Sequence, residues 1–450
     1  SIWADAKFVM DPDVSSDSLR KVKVSGPGYL PLDGEGQISV AGELVSGDDA
    51  DLSKAEITYS SSDEEVLSVD GEGRMTGRKD GSAVVTVKVV MGEVEKTGEL
   101  SVIVGQGEGE MWTIASPDES LQALFMLDEN GEGEYFVLED GTVVVDRSQL
   151  GLVTDAGDFT EGLSFKEQSE ITSVTDEYDL YGAKVSHVKA EGREMTLSFT
   201  KGDAELDVVV RMYDDGMAFR YGVESDDGTE LSVSAEETTL TLPEGSTAYA
   251  MDYINHNEEI EREHKAEELS GDYCMPLLYN VDDTWCLISE ADLGPEYCGT
   301  YLTGDGTGSL NFHLSKEQSG DVVTDLPFAS PWRFVVIGTA AEINLNTMAE
   351  TLSPDAEGDW SWVEPGVTSW TWLNRESTSN LDTYKKYVDL SAEMGWQYLL
   401  LDEGWQPTGS SQGHSEYAYY GYYDWTEGEH ATLMHSHEDL AEVLLILKGS

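Results

Sequence analysis

PGVTSWTWLNRESTSNLDTYKKYVDLSAEMGWQYLLLDEGWQP, residues 365–407, joins two apolar runs through an amphipathic segment. It opens with an apolar run, 367–373, that carries Trp370 and Trp372. In the following segment, 380–394, Leu381, Tyr384, Tyr387, Val388, Ser391 and Met394 recur at helical spacing and share one face. Ser379 or Asn380 can cap this helix, and Gly395 terminates it. A second apolar run, 398–401, ends abruptly in Asp402 and Glu403, and the strand is expected over 398–403. Strand, helix and strand in this order predict a β-α-β unit with a parallel sheet. Acids at the carboxyl end of a parallel barrel strand stand where such folds place their chemistry.

The residue types around these acids suit a sugar. A flat indole offers an apolar face to a pyranose ring, and carboxylates transfer protons. Trp370 and Trp372 flank Thr371, so on a strand both point to one side. Trp405 stands beside Glu403 and can exclude water from it. Trp396 precedes a buried strand and reads as core, whereas Trp425 joins the aromatic candidates. Asp402 and Glu403 fit two roles: catalytic carboxylates at a barrel mouth, or caps of the next loop and partners of Arg375. His435 and His437, close to a helix start, read as surface or capping residues.

Working outward, the chain has 450 residues, enough for two to four domains. Its 89 acidic residues against 26 Lys and Arg give a net charge of −63. That charge repels phosphates, so nucleic acid is excluded as a partner, and anionic membrane is excluded with it. Such acidity suits a secreted protein or a salty milieu. No apolar run reaches the ~18 residues that a membrane helix needs. Cys274, Cys286 and Cys298 are odd in number and match no zinc spacing, so they read as small buried hydrophobes on strands.

Residues 1–18 are polar and aperiodic and read as a linker. Residues 19–104 read as a small all-β sandwich, with strands at 21–24, 37–40, 56–60, 66–69, 83–90 and 100–104. Residues 105–360 read as a larger two-sheet sandwich, strand-like at 205–213 and 218–223. A strand at 333–337 and a short helix at 344–351, ended by Pro354, follow. Residues 361–450 begin a β/α barrel, with a second helix at 437–448. There is no internal repeat.

A second constellation lies in YINHNEEIEREHKAEEL, residues 253–269. Glu258, Glu259, Glu261, Glu263, Glu267 and Glu268 are interleaved with His256 and His264. Carboxylates at this density suit calcium, a hard cation that takes six to eight oxygens. Composition alone favours a solvated acidic loop or helix over such a site. Glu290, after an apolar run, is either an inward acid or a turn residue.

Two resemblances bear on this reading. YSSSDEEVLSVDGEGRMTGRKDGSAVVTVKV, residues 59–89, resembles the bacterial Ig-like domains of the second type: Tyr59, Ser60, Val69, Gly73, Gly77, Gly81, Ala83 and Val87 fit their pattern. Residues 112–450 resemble glycoside hydrolase family 97, through IASPDESLQALFMLDENGEGEYFV, SQLGL, RMYDDGMAFRYGV, PLLYNVDDTWCLISEADL, SPWRFVVIG, EPGVTSWTWL and YKKYVDLSAEMGWQYLLLDEGW. The resemblance implies a galactose-mutarotase-like β-supersandwich before a (β/α)8 barrel. It also implies an exo-acting, calcium-dependent α-glucosidase or α-galactosidase. A sandwich glutamate of the family binds the calcium; Glu261 aligns best, between Ile260 and His264, with Glu258 and Glu259 as alternatives. In inverting members a base stands at the end of the second barrel strand, where Glu403 lies. In retaining members the nucleophile is an aspartate on a later strand.

A complete barrel takes roughly 250 residues, and residues 361–450 supply only its start. The resemblance therefore places the acid, the retaining nucleophile and most calcium ligands beyond Ser450, and makes this chain an N-terminal portion inactive by itself. The expected location is extracellular, at the cell surface or in the periplasm. Two rival readings are a non-catalytic surface protein that binds carbohydrate or adheres, and a structural β-protein without a ligand.

Overall fold

The alternating runs of residues 18–355 do form sheets. The computed structural model describes residues 18–400, apart from 80, 93, 106–110, 129, 181–182, 225–229, 356–357, 360–362 and 377–380. The expected linker, but for Ser18, lies outside them. Contacts divide the chain into two units, Ser1–Asp355 and Ala356–Ser450.

The first unit opens with an Ig-like module. Glu56–Ser61, Gly81–Met91 and Val94–Gly105 pair antiparallel, and Tyr29–Pro31 joins the last of these in parallel. Glu35–Gln37, Arg74–Gly77 and Leu67–Val69 form a second sheet, and Leu19–Ser25 pairs with Ser39–Leu44. Val85, Val87 and Val89 alternate inward to meet Leu100, Val102 and Val104 in a closed core. Gly73, at φ +76°, turns the chain where Tyr59 passes: a Cβ there would lie 2.9 Å from the Tyr59 ring. The strands at 29–31 and 74–77 are too short to show a period in the sequence.

The following residues build two large sheets. One has eight strands in the order Met111–Ala115, Leu121–Leu127, Gly133–Glu139, Thr142–Leu150, Thr239–Thr241, Ser309–Leu314, Thr300–Asp305, Ser270–Tyr273. The other has eleven, centred on His187–Lys201, Ala204–Tyr213, Gly216–Val223, Trp332–Gly338 and Thr284–Ala291. A three-stranded sheet, Leu152–Thr154, Glu230–Glu236 and Val322–Asp325, accompanies them. The expected alternation holds: Leu206, Val208, Val210 and Met212 on one strand, and Met217, Phe219 and Tyr221 on the next, enter one core with Phe125, Tyr135 and Phe312. Burying such side chains at about 25 cal/mol per Å² is the main force that closes the two sheets.

The helix expected at 344–351 is two helices, Ala340–Leu345 and Met348–Leu352. Thr339 caps the first, accepting from the backbone N–H of Glu342, whose carboxylate returns to the Thr339 N–H at 2.7 Å. Asn346 breaks the run. Its backbone is extended, its amide donates to Asp215 at 2.7 Å, and its Oδ1 accepts from the Met348 N–H at 2.8 Å. Met348 and Leu352 then cover the outer face of the eleven-stranded sheet with Trp332, Phe334 and Val336. The Trp332 ring lies beneath two guanidinium groups, Arg220 at 4.4 Å and Arg211 at 4.9 Å. Of the three cysteines only Cys286 is on a strand; all three are free, and Cys298 is only partly buried. Burial pushes the Cys286 thiol up to about 12.

Arg333 lies on the inner face and is 1% exposed. Its Nε and Nη2 donate to both oxygens of Glu236, at 2.9 and 2.6 Å, and its Nη1 donates to Glu290 at 3.0 Å. Glu290 also accepts from the Thr300 N–H at 3.1 Å and the Thr300 hydroxyl at 2.8 Å. Glu290 is thus an inward acid, because the strand Thr284–Ala291 runs on past it. Glu236 belongs to the three-stranded sheet, so the guanidinium ties that sheet to the large one. Two carboxylates on one cation leave an excess of negative charge, and burial holds the Glu290 carboxyl above the usual glutamate value despite Arg333.

Arg333→Met should destabilise the fold by about 3–5 kcal/mol, read by urea unfolding, since both acids would be left buried and unpaired. Glu290→Gln tests the charge excess. A carboxyl raised in the folded state contributes most below its unfolded value, and that contribution fades as pH rises through the folded one. The parent should therefore lose stability relative to Glu290→Gln as pH rises above the ordinary glutamate range. Parallel stability curves from pH 4 to 7 would remove that account.

Candidate functional site

The second unit contains the expected parallel pair. Thr368–Trp370 lies alongside Tyr398–Leu400 in parallel register, with the helix Leu381–Met394 between them in sequence and packed on both. Tyr384, Tyr387, Val388 and Ser391 are buried on the predicted helix face. Ser391 meets Ser369 of the first strand in a hydroxyl pair at 2.8 Å. Gly395, at φ +69°, ends the helix. Met394, expected on the same face, is 56% exposed. A helix of 14 residues runs about 21 Å, beyond what strands of three residues, about 10 Å, can cover.

Both strands are shorter than the apolar runs that predict them, and this alters the tryptophans. Thr371 has left the strand, at φ −73° and ψ −27°, and Trp372–Asn374 is a 3-10 turn closed by Arg375 in the left-handed region. Strand alternation ends at Trp370, so the reading that Trp370 and Trp372 share one strand face does not hold. Trp370 is half-buried at the carboxyl end of its strand, and Trp372 is 57% exposed on the turn beyond it. An aromatic at a strand end with another on the next turn still places two indoles at the carboxyl edge of the parallel pair. Asp402, Glu403 and Trp405 lie outside the described residues, as do Trp425, His435, His437 and the helix expected at 437–448.

In the first unit the acidic run is divided by a hairpin. Thr247–Ala250 pairs with Arg262–Lys265, and the loop between them carries Glu258, Glu259 and Glu261, all exposed. Glu263 is on the returning strand, 3.3 Å from the Tyr249 hydroxyl. Glu267 and Glu268 are in the 3-10 turn Ala266–Glu268, where Glu268 accepts from the Lys265 N–H at 3.3 Å. Pairing and alternation have separated acids that are contiguous in the sequence. Among the described residues no three His, Cys, Asp or Glu side chains converge to hold a metal ion. Calcium takes six to eight oxygens, so these residues do not make a calcium site alone. Glu258, Glu259 and Glu261 are exposed alike in that loop, Glu261 beside the 76%-exposed Ile260, and each offers a carboxylate of the right hardness.

The structure also brings aromatic side chains to this loop that the sequence reading does not single out. Tyr249 stacks on Trp285 at 5.9 Å. Tyr253 lies 5.0 Å from Tyr301, with the Lys316 ammonium over both rings at 4.5 and 4.9 Å. Lys316 also pairs with Asp272. The two tyrosines flanking the loop are visible in TAYAMDYINHNEE, but their partners are distant in sequence and only strand pairing unites them.

With this geometry in view, comparison with known proteins is direct. Residues 114–354 match the model of the glycosyl-hydrolase 97 N-terminal domain, and residues 38–102 match the bacterial Ig-like domain, group 2. A probable retaining alpha-galactosidase of Streptomyces bingchenggensis (strain BCW-1) is 30% identical over 308 residues, covering 65% of this chain and 47% of that protein. A retaining alpha-galactosidase of Bacteroides thetaiotaomicron is 24% identical over 343 residues, covering 66% of this chain and 50% of that one. The chain thus spans about half the length of the curated relatives it matches. Among solved structures, a beta-arabinopyranosidase shares the fold with a TM-score of 0.60 at 22% identity, over 75% of this chain and 54% of its own. The model match covers more than half of the chain and falls on the two-sheet sandwich around Arg333, so the chain belongs to the glycosyl-hydrolase 97 family, whose N-terminal domain it carries.

Proposed function

We propose that the protein is an exo-acting α-glycosidase, secreted or displayed at the cell surface, that hydrolyses α-galactosides with retention. The parallel β-α-β unit that follows a family sandwich carries this reading, because Asp402 and Glu403 come next in the sequence after its second strand. The retaining alpha-galactosidases among its relatives favour galactoside over glucoside. No helix among the described residues is long and apolar enough to cross a membrane, and the Ig-like match agrees with an extracellular setting.

In this reading residues 361–450 begin a (β/α)8 barrel, and its acids act at the carboxyl ends of the strands. Trp370, Trp372 and Trp405 hold the sugar by its apolar face. Glu403 and Asp402 accept hydrogen bonds from substrate hydroxyls. With retention, a separate carboxylate attacks the anomeric carbon, and an acid protonates the leaving oxygen and later deprotonates water. With inversion, Glu403 itself takes the proton of the attacking water. Glu261 would be the residue of this chain to offer an oxygen to a calcium ion. When bound, that ion would orient hydroxyls and offset developing charge.

The deciding assay is hydrolysis of p-nitrophenyl α-galactoside and α-glucoside by the protein from the complete reading frame, with and without EDTA. Galactoside turnover, lost with EDTA and restored by calcium, is expected, and NMR should show the α-anomer first. Glu403→Gln should lower kcat/KM by about 10- to 100-fold, the loss of a hydrogen bond to a charged group. Residues 1–450 alone should give no turnover. If the folded full-length protein binds galactosides yet cleaves neither substrate, the surface-binding reading replaces this one.

A further inference from the structure

Three strands of the eight-stranded sheet bury both of their faces. In Leu121–Leu127, Ala123 and Phe125 enter the main core, yet Leu124 and Met126 on the opposite face are 3% and 8% exposed. In Gly133–Glu139, Tyr135 and Val137 face the main core, while Phe136 and Leu138 face away at 0% and 1%. Strands buried on both faces read as continuous apolar runs, as in LQALFML and EYFVL. Something must cover the second face.

The cover is the Ig-like module. Ile103 and Tyr29, adjacent in its parallel strand pair, join Leu124, Met126, Phe136, Leu138 and Val143 in one buried cluster. Ile103 alternates with Val102 and Val104, so it points away from the module's own core and is still 1% exposed. The backbones approach closely at both edges. A Cβ on Gly28 would lie 2.6 Å from a Leu138 methyl. A Cβ on Gly141, at φ +84° in the sheet's hairpin turn, would lie 2.6 Å from a Leu100 methyl of the module.

We infer that the Ig-like module is a fixed cover of the sandwich domain: it completes a second hydrophobic layer on the eight-stranded sheet and is not a hinged spacer or an adhesive arm. The inference rests on packing alone and stands whatever the substrate. A spacer would meet its neighbour through polar residues and a mobile hinge, as loosely associated domains do. Here the outward side chains on both sides are apolar and dry.

Calorimetry and hydrogen–deuterium exchange on the full-length protein test this. In the unaltered protein, module and sandwich should unfold in one transition. Leu138→Glu and Ile103→Glu, from opposite sides of the patch, should each split that transition. Each should also raise exchange at residues 121–127 and 133–139 by about tenfold or more, while residues 85–89 in the module core stay protected. Thr58→Glu, on an exposed module strand, should change neither. Leu138→Ala guards against outright misfolding by the charged variants, and it should shift the same amides in the same direction. Separate transitions in the unaltered protein, or no change at 121–139 in Leu138→Ala, would overturn the inference.

Discussion

A guanidinium enclosed between two sheets constrains everything around it. Arg333 cannot be buried alone, because the desolvation of an unpaired charge exceeds what a domain of ordinary stability can absorb. It therefore requires Glu236 and Glu290 at bonding distance, and these come from different sheets. The two strands Trp332–Gly338 and Thr284–Ala291 must hold their register so that Arg333 faces Glu290 across the pair. The strand Glu230–Glu236 must end where Glu236 meets the fork. Hydrophobic burial closes the sandwich. The ion cluster selects which closed arrangement is allowed, since a one-residue slip would turn the charge out of the core and an apolar residue into its place.

The acidity of the chain has a complementary explanation. Among the described residues the acids lie mainly at the surface, where carboxylates remain hydrated and pair only loosely. Exposed pairs such as Arg20 with Glu43 add little. Among the described residues the buried charged side chains are Arg333 and Glu236, and the other buried polar ones are serines and threonines such as Thr238, whose hydroxyl meets that of Tyr221 at 2.7 Å. Against so charged a surface, an apolar strip like that of Phe136 and Leu138 would invite association if left bare. The module that covers it thus bears on solubility as well as on stability.

Much of this was legible. Period-two alternation in residues 205–213 and 218–223 located central strands, and the spacing of Tyr384, Tyr387, Val388 and Ser391 located a helix and its buried face. What escaped has definite causes. The 344–351 helix divides because the Asn346 side chain bonds Asp215, a partner far away in sequence. The apolar run at 367–373 does not remain extended because Thr371 adopts helical angles, which no local pattern announces. The acids of 258–268 suggested a cluster, but a hairpin sends them to a loop, a strand and a turn. Tyr253 and Tyr301 meet only through pairing between distant segments.

From its local patterns alone the chain announced the central strands at 205–213 and 218–223, the helix within 380–394 with its buried face, and the family. These depend on local periodicity and on motifs that survive in order. Tertiary structure alone decided which inward acids meet Arg333, how a hairpin parts the acids of 258–268, and what covers the second face of the eight-stranded sheet. Each of those depends on side chains brought together by strand pairing and sheet packing. The energy of a buried charge or an apolar face is set by whichever neighbour arrives there, and a linear pattern does not name that neighbour.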